Sequence, residues 1–409
     1  MRWVTRDGTI AGVAGGLACL LAEVVTFGVR GPLGILNDFW IYWSAAAVLN
    51  AGGSAYDNAA LARVHDAAGL PGITGGGYTY PLAFAEAMRP LAALPPWTAA
   101  AVFVGLSLVA VGVALALLLS SVRGLPLPAM LAIGILGGLY TPVSYGLWVG
   151  QANDLLLPAL ALAYRGVGPG ATLALATAVK LYPAAGLLAV AGRPDRLRQA
   201  ALAAVTAALL FLPDLLAGGR AAGRVAENLA ADAYWSNQSL NGMLSRMALW
   251  DGWPLRGVAV EALDIAAVAA LALLLALVLW RCRTQPWEGC LALCLCFGVV
   301  AAPKNSLWNF TPLLLCFAFG ASRARERPAP AVALLVGLLL TGVQLAVWAA
   351  STPAGTVPDL VYHDPAGAAL SSVGTFSALL VGAAVAALLL GQQRGPVLLD
   401  RPSALSSSQ

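Results

Sequence analysis

Long, predominantly apolar segments with few charged residues recur along the whole chain, and they constrain its fold more than any other feature. An α-helix needs about 20 consecutive apolar residues to cross the hydrocarbon core of a bilayer. Segments of this kind occupy 10–29, 97–121, 128–148, 199–216, 258–280, 287–302, 308–322, 330–350 and 373–391. Only 10% of the 409 residues are charged, against roughly 25% in soluble domains. The pattern predicts an all-α polytopic membrane protein and excludes a soluble enzyme.

The segment 152–192 is harder to assign because Arg165 and Lys180 interrupt its apolar runs. We interpret it as one short span followed by a hairpin of two half-length helices, with a break at Lys180-Leu181-Tyr182-Pro183. The total is then about 12 transmembrane helices in a single domain over 1–392. Residues 393–409 are expected to form a disordered cytoplasmic tail.

The distribution of arginine predicts the orientation, because basic residues are retained on the cytoplasmic side of a membrane. With the N-terminus inside, most arginines fall in short inner loops and the remainder are spread over long outer loops. The outer loops are 30–96, 217–257 and 351–372. We therefore expect a plasma or inner membrane protein with both termini cytoplasmic, and with any chemistry on the extracytoplasmic face.

Several classes of cofactor and partner are not expected. The sequence has no P-loop, no Gly-x-Gly-x-x-Gly after a strand, no Asp-x-Asp pair and no His-Glu-x-x-His motif, so no nucleotide, redox cofactor or metal is predicted. The formal charge of +4 is too small for a nucleic-acid partner. The six cysteines fall in or beside apolar runs, which is typical of buried free thiols.

Asp38 is the first candidate for a catalytic group. It lies soon after the first apolar segment, inside the aromatic cluster Asn37–Trp43. A carboxylate desolvated by such neighbours has a raised pKa and suits a general base. A structural role stays open, because Asp is favoured at helix N-caps and the segment 39–49 is typical of a helix.

Farther along the same loop, Gly75–Pro81 joins a glycine run to Tyr78 and Tyr80. Such a segment suits a flap over a sugar or a lipid head group, and it equally suits a mobile connector. The segment 58–69 before it is predicted to form a helix on the membrane surface with a solvated His65.

Three polar residues stand within or between apolar runs, where polar side chains are costly unless they face a cavity or each other. Gln151 and Asn153 lie between two apolar segments, and Lys180, one of two lysines in the chain, is flanked by apolar residues. Three explanations compete for Lys180: snorkelling to the membrane interface, pairing with a buried acid, or binding an anionic group such as a phosphate.

The second outer loop carries amides and aromatic residues of the kind that bind carbohydrate hydroxyls. Asn237 and Gln238 lie in Tyr234–Gly242, and Arg246 follows this segment. Asn237-Gln238-Ser239 also matches a glycosylation sequon. A short outer turn, 303–309, contains Lys304, which either meets a phosphate or faces water.

Six short motifs follow one another along roughly residues 10–310. They are Asp38-Phe39 with Tyr42, Tyr56-Asp57, Tyr78-Thr79-Tyr80-Pro81, Gly150-Gln151-Ala152-Asn153, Lys180-Leu181-Tyr182-Pro183 and Asn237-Gln238-Ser239. In this order they resemble glycosyltransferase family 87, which includes polyprenyl-phosphate-mannose-dependent alpha-1,2-mannosyltransferases and a related arabinofuranosyltransferase. The chain departs from the family at 302–309, where many members have Ser-Pro-x-Ser-Trp-x-His-His and this sequence has no histidine.

The resemblance implies a GT-C fold that uses a lipid-linked sugar donor on the outer face of the membrane. It places Asp38 as the catalytic base in the first outer loop, and Lys180 near the donor phosphate. Gln151 and Asn153 would then lie near the sugar.

Our hypothesis is an inverting transfer of one sugar from a polyprenyl-phosphate donor to a hydroxyl of a lipid or glycan acceptor, among membrane lipids. Mannose is favoured, with arabinofuranose as the second sugar. Asp38 is the base, and Lys180, Arg246 and Lys304 bind the donor phosphate. The sugar- and acceptor-binding residues are Tyr78, Tyr80, Gln151, Asn153, Asn237 and Gln238. The alternatives are a transporter or flippase of a lipid-linked or anionic solute, and a polymerase or ligase that transfers a whole glycan.

Overall fold

A computed structural model describes residues 4–30, 35–71, 77–122, 124–218, 232–234, 236–249, 258–351 and 365–391, with the side chains of 29, 30 and 344–351 excepted. The predicted tail 393–409 lies outside the described residues. Most of the predicted third outer loop and much of the second also lie outside them.

The described part of the chain is helical, with no strand beyond an isolated bridge between Asn237 and Ser306. Short 3-10 helices cover Tyr182–Ala185 and Leu307–Phe310. In chain order the α-helices are α1 Arg6–Arg30, α2 Asn37–Asn50, α3 Asn58–Ala67, α4 Leu82–Ala92, α5 Pro96–Leu119, α6 Leu127–Gly138, α7 Thr141–Val149, α8 Asn153–Tyr164, α9 Pro169–Val179, α10 Gly186–Val190, α11 Arg196–Leu216, α12 Leu240–Leu249, α13 Val258–Arg281, α14 Trp287–Ala301, α15 Leu313–Arg323, α16 Pro328–Ser351, α17 Pro365–Leu370 and α18 Val373–Gly391.

Five of the described helices are long and apolar enough to cross a membrane: α1, α5, α11, α13 and α18. The pair α6 and α7 would make a sixth span, bent by 41°. Shorter apolar helices are α8, α9, α14 and the Pro328–Val343 part of α16. A membrane-embedded helical protein is therefore confirmed, while the total of about 12 spans stays a prediction.

Proline explains two places where a predicted span is interrupted. The segment 128–148 bends between α6 and α7, where Pro142 has no N–H to donate to the carbonyl of Gly138 and lies in the first turn of the new helix. The segment 308–322 divides into a 3-10 turn and α15, which begins directly after Pro312. Proline has no backbone N–H, so it starts a helix more easily than it continues one.

The predicted break after α9 is confirmed. The helix ends at Val179, and Lys180 has extended backbone angles, φ −136° and ψ 136°. Pro183 cannot donate the hydrogen bond that the carbonyl of Val179 would need for the helix to continue. The break leaves Lys180 outside a helix, at the end of α9.

Helices α2, α3 and α4 lie in the described part of 30–96, the predicted first outer loop, and share a small core with the start of α5. Phe39 of α2 packs on Phe103 of α5 with ring centroids 4.8 Å apart, and Trp40 packs on Trp97 at 5.0 Å. The prediction of a solvated His65 is wrong, because the residue is only 4% exposed. The residue lies on the buried side of α3, beside Leu61.

At the other end of α5, basic and indole side chains bind the ends of several helices; we call this region the basic end. Arg165 donates to the carbonyl of Leu117 at 3.0 Å, and Trp287 Nε1 donates to the carbonyl of Ala163 at 2.8 Å. The guanidinium of Arg193 lies 4.7 Å from the centre of the Trp287 ring. Trp97 and Leu117 are twenty residues apart on α5, so the basic end lies about 30 Å from the aromatic contacts of α2.

The start of α1 and the end of α18 also lie at the basic end. The amide of Thr5 donates to Ser120 Oγ at 3.0 Å, directly after α5. Arg327 donates to the carbonyl of Gly391, the last residue of α18. The N-terminal end of α1 and the C-terminal end of α18 therefore lie on the same side of the molecule.

Candidate active site

The position of Asp38 is set by contacts between the start of α2 and the residues at the end of α7. The N-cap of α2 is Leu36, which has left-handed backbone angles, φ 59° and ψ 23°. Its amide donates to the carbonyl of Trp148 at 2.8 Å. Gly150 has φ +72°, and a Cβ there would lie 2.6 Å from Phe39 Cβ. The close approach requires glycine and fixes the first turn of α2, which contains Asp38.

Asp38 does not cap its helix. It is the second residue of α2, after the N-cap residue Leu36, and no side-chain cap is formed there. The carboxylate is partly buried and accepts no hydrogen bond from the described residues. The structure therefore removes the capping interpretation and leaves the carboxylate available to a substrate.

Asp38 and Lys180 lie near one another, and both are outside the candidate spans. Burial raises the pKa of Asp38 to about 6, and the positive charge of Lys180 acts in the opposite direction. Burial also lowers the pKa of Lys180 to about 8, again opposed by the charge of its neighbour Asp38. Near neutral pH the carboxylate is mostly ionised and the amine mostly charged.

Two tyrosines and a glutamine connect the elements that meet at this site. Lys180 Nζ donates to Tyr80 Oη at 2.8 Å and lies 4.9 Å from the centre of the same ring. Tyr42 Oη lies 2.8 Å from Tyr80 Oη and 3.3 Å from Gln151 Oε1, to which it can donate. The structure thus brings Asp38, Tyr80, Gln151 and Lys180 together from four separate segments.

Tyr42 is the residue of this group to which the sequence alone assigned no role. It lies one turn after Asp38 on α2, and residues four apart share a face of a helix. That spacing is the signal that could have identified it. Its hydroxyl holds Tyr80 and Gln151 in place beside the carboxylate.

Tyr78 packs against Tyr80 and is itself fully buried, so it supports the site without lining it. Its side chain is 0% exposed. The hydroxyl donates to the carbonyl of Pro81 at 2.8 Å. The ring packs on Tyr80, with centroids 5.7 Å apart.

Asn153 joins α8 to the 3-10 turn at 307–310. Its Nδ2 donates to Asn309 Oδ1 at 2.8 Å and to the carbonyl of Trp308 at 3.1 Å. Its Oδ1 accepts from Tyr182 Oη at 3.2 Å. The amide is 0% exposed, so its polar atoms bind the protein itself. A role in sugar binding for this residue stays a prediction.

The amides of the second outer loop bind the protein backbone in the same way. Asn237 Nδ2 donates to the carbonyl of Pro303 at 3.1 Å, and Gln238 Nε2 donates to the carbonyl of Ser371 at 2.7 Å. These bonds fasten the start of α12 to the 303–309 turn and to α18.

The remaining predicted cations have protein partners. Arg246 is 0% exposed, and its Nη1 donates to the carbonyl of Asn237 at 2.7 Å while its Nε donates to Ser372 Oγ at 3.1 Å. Lys304 pairs with Asp232 at 3.5 Å. These contacts favour structural roles for Arg246 and Lys304, whereas Lys180 is the cation that lies near Asp38.

A comparison with protein families matches the model of glycosyltransferase family 87 to residues 78–303. This stretch is more than half of the chain, and it contains Tyr80, Gln151 and Lys180 but not Asp38. No curated protein and no solved structure matches the chain. The chain belongs to glycosyltransferase family 87 and is a membrane glycosyltransferase.

Proposed function

We propose that the protein transfers one sugar from a polyprenyl-phosphate donor to a hydroxyl of a lipid or glycan acceptor, with inversion at the anomeric carbon. The observation that carries the proposal is that one site contains both a carboxylate suited to a base and a cation suited to a leaving phosphate. A carboxylate that accepts no hydrogen bond from the described residues lies near an ammonium that is held in place by Tyr80. Family membership favours a transferase over the transporter or flippase considered from the sequence.

In the proposed reaction the acceptor oxygen attacks C1 of the donor sugar while Asp38 takes the proton of the acceptor hydroxyl. The C1–O bond to the phosphate breaks, and its electron pair stays on the leaving polyprenyl phosphate. Lys180 lies beside the oxygen on which this charge develops, where a fixed cation stabilises the transition state. A β-linked donor gives an α-linked product, and mannose is the favoured sugar.

The fold supports a site on the extracytoplasmic face. The basic end, with Arg165 and Arg193, lies at the opposite end of α5 from the aromatic contacts of α2. Because basic residues are retained on the cytoplasmic side, this separation supports an extracytoplasmic position for Asp38.

The test is sugar transfer in membranes supplied with radiolabelled polyprenyl-phosphate mannose, with variants compared at matched expression. Asp38→Asn removes the base, and we expect transfer to fall by about 100-fold or more. Asp66→Asn is the matched control, because Asp66 is an acid of the same loop whose side chain is 82% exposed. It should transfer label like the wild type.

Equal transfer by Asp38→Asn and the wild type would overturn the assignment of the base. If the wild type leaves the mannose donor unused, the same comparison is made with polyprenyl-phosphate arabinofuranose. Failure with both donors, together with uptake of a lipid-linked solute, would overturn the proposed transfer.

A further inference from the structure

Helix α11 is a span whose described side chains face outward along most of its length. Leu197, Leu209 and Leu216 are 81%, 67% and 80% exposed. Its buried residues are the polar Gln199 and Asp214, near its two ends. An ionisable side chain buried on a membrane helix is costly, and it is normally paired and functional.

Among the described residues that contact Asp214 is a tyrosine of the first outer loop. Tyr56 Oη donates to Asp214 Oδ1 at 2.6 Å. The same hydroxyl lies 3.0 Å from the carbonyl oxygen of Tyr80. The contact with Asp214 therefore fixes the hydroxyl of Tyr56 directly against the backbone of Tyr80.

Tyr80 is held from both sides. Its backbone meets Tyr56, while its own hydroxyl accepts from Lys180 at 2.8 Å. The rings of Tyr56, Tyr78 and Tyr80 pack in sequence, with centroids 5.6 and 5.7 Å apart. A continuous series of contacts thus runs from Asp214 to the amine of Lys180.

Helix α11 also reaches the segment that carries Lys180. It packs along α9, which ends one residue before Lys180. At the opposite end of α11, Gln199 Oε1 accepts from the amide of Gly170, near the start of α9. Helix α11 therefore contacts the first outer loop through Asp214 and packs along the helix that ends beside Lys180.

We propose that Asp214 is a positioning residue for the transfer, which acts through Tyr56 to hold Tyr80 against Lys180. The proposal rests on the proposed function, because it gives Lys180 the leaving phosphate. Asp214 and Tyr56 do not themselves touch the reacting atoms.

The effect should fall on turnover more than on donor binding. A sugar phosphodiester carries one negative charge, and the departing phosphate carries two when the C1–O bond has broken. A displaced Lys180 therefore loses more interaction with the transition state than with the bound donor. We expect Asp214→Ala and Tyr56→Phe each to lower kcat by about 10- to 100-fold, with the donor KM changed less than about threefold.

Two further variants separate positioning from general stability. Asp214→Asn keeps an oxygen that can accept from Tyr56, and it should recover most of the activity that Asp214→Ala loses. The double variant Asp214→Ala/Tyr56→Phe should be no slower than the slower single variant, because both break one series of contacts. Gln199→Ala, which removes the other buried polar residue of α11, should transfer normally.

Amine labelling gives a measurement that does not depend on activity. The chain has two lysines, Lys180 and Lys304, so in a Lys304→Arg background peptide mapping reports Lys180 alone. The full-length protein in detergent is treated with an acylating reagent. We expect Asp214→Ala and Tyr56→Phe to raise the acylation rate of Lys180 at least threefold, and Gln199→Ala to leave it unchanged.

The two measurements fail in different ways. Unchanged kcat and unchanged labelling in Asp214→Ala would overturn the positioning role while leaving the transferase intact. Slower turnover with unchanged Lys180 labelling, or equal effects of Gln199→Ala, would reduce Asp214 to a structural residue. If the wild type transfers no sugar but the labelling responds as expected, the proposed function fails and the coupling of Asp214 to Lys180 stands.

Discussion

At the scale of single residues, the site combines a carboxyl group, Asp38, and an amine, Lys180, whose burial shifts their pKa values toward neutrality. The pKa of Asp38 is raised to about 6 and that of Lys180 is lowered to about 8. The proposed reaction needs Asp38 without its proton and Lys180 with its proton. Both conditions hold together only between these two values.

The pH dependence of transfer should therefore be bell-shaped. We expect kcat/KM to rise through about pH 6 as Asp38 ionises and to fall above about pH 8 as Lys180 loses its charge. Lys180→Arg keeps a charge at all accessible pH values, so it should remove the alkaline limb while the acid limb stays. A flat profile in the wild type, or an alkaline limb unchanged in Lys180→Arg, would contradict these assignments.

The sequence identified candidate site residues whose neighbours in the chain were unusual for a polar side chain. It missed those whose neighbours were ordinary. Asp38 was conspicuous among aromatic residues, and Lys180 was conspicuous inside an apolar run. Asp214 was not conspicuous, because it lies at the end of a predicted span, just before a loop, where acidic residues are common. His65 was assigned to solvent because histidine is usually solvated on a surface helix, although Leu61, four residues earlier, shares its face and is buried.

At the scale of elements, the start of α2 depends on the glycine at the end of α7. Gly150→Ala places a Cβ 2.6 Å from Phe39 Cβ in a left-handed residue. Left-handed geometry alone costs an L-residue about 1–2 kcal/mol. The clash adds to this cost and displaces the turn that carries Asp38, so transfer should fall by about tenfold or more.

Gly52 offers the matched control, because its φ is +79° and a Cβ there would meet nothing within 4 Å. Thermal unfolding in detergent should show a loss of stability in both Gly52→Ala and Gly150→Ala, larger in the latter. Only Gly150→Ala should lose transfer. Equal activity of the two variants would show that the contact with Phe39 does not position the base.

Helix positions were largely predictable, and helix interruptions only in part. The break at Lys180 was expected because Pro183 stands in an apolar run with a charge. The bend before Pro142 and the division at Pro312 were not expected. Each lies in an uninterrupted apolar segment whose hydropathy is that of a single span. Hydropathy averages over about 19 residues, and it is insensitive to the local geometry that one proline imposes.

At the scale of the whole molecule, the two ends of α5 differ in chemistry. One end carries the aromatic contacts of α2, near Asp38, and the other carries the arginines of the basic end. The pattern of arginines along the sequence predicted this polarity, but it could not show that Asp38, Tyr80, Gln151 and Lys180 meet. Their meeting depends on packing between segments that are far apart in the chain.

The orientation can be tested with a membrane-impermeant maleimide on intact cells. Asp66 and Glu326 have side chains that are 82% and 65% exposed, in the first outer loop and at the basic end. Asp66→Cys should be labelled in intact cells, and Glu326→Cys only after permeabilisation. The wild type controls for its own cysteines, most of which are buried. The reverse result would place the site on the cytoplasmic face.

The bond from Leu36 to Trp148 ties the first turn of α2 to α7. Asp38 is therefore anchored near the start of the predicted outer loop by a bond between two main-chain groups. Because neither group belongs to a side chain, substitutions of the Leu36 or Trp148 side chains leave the donor and the acceptor of this bond in place.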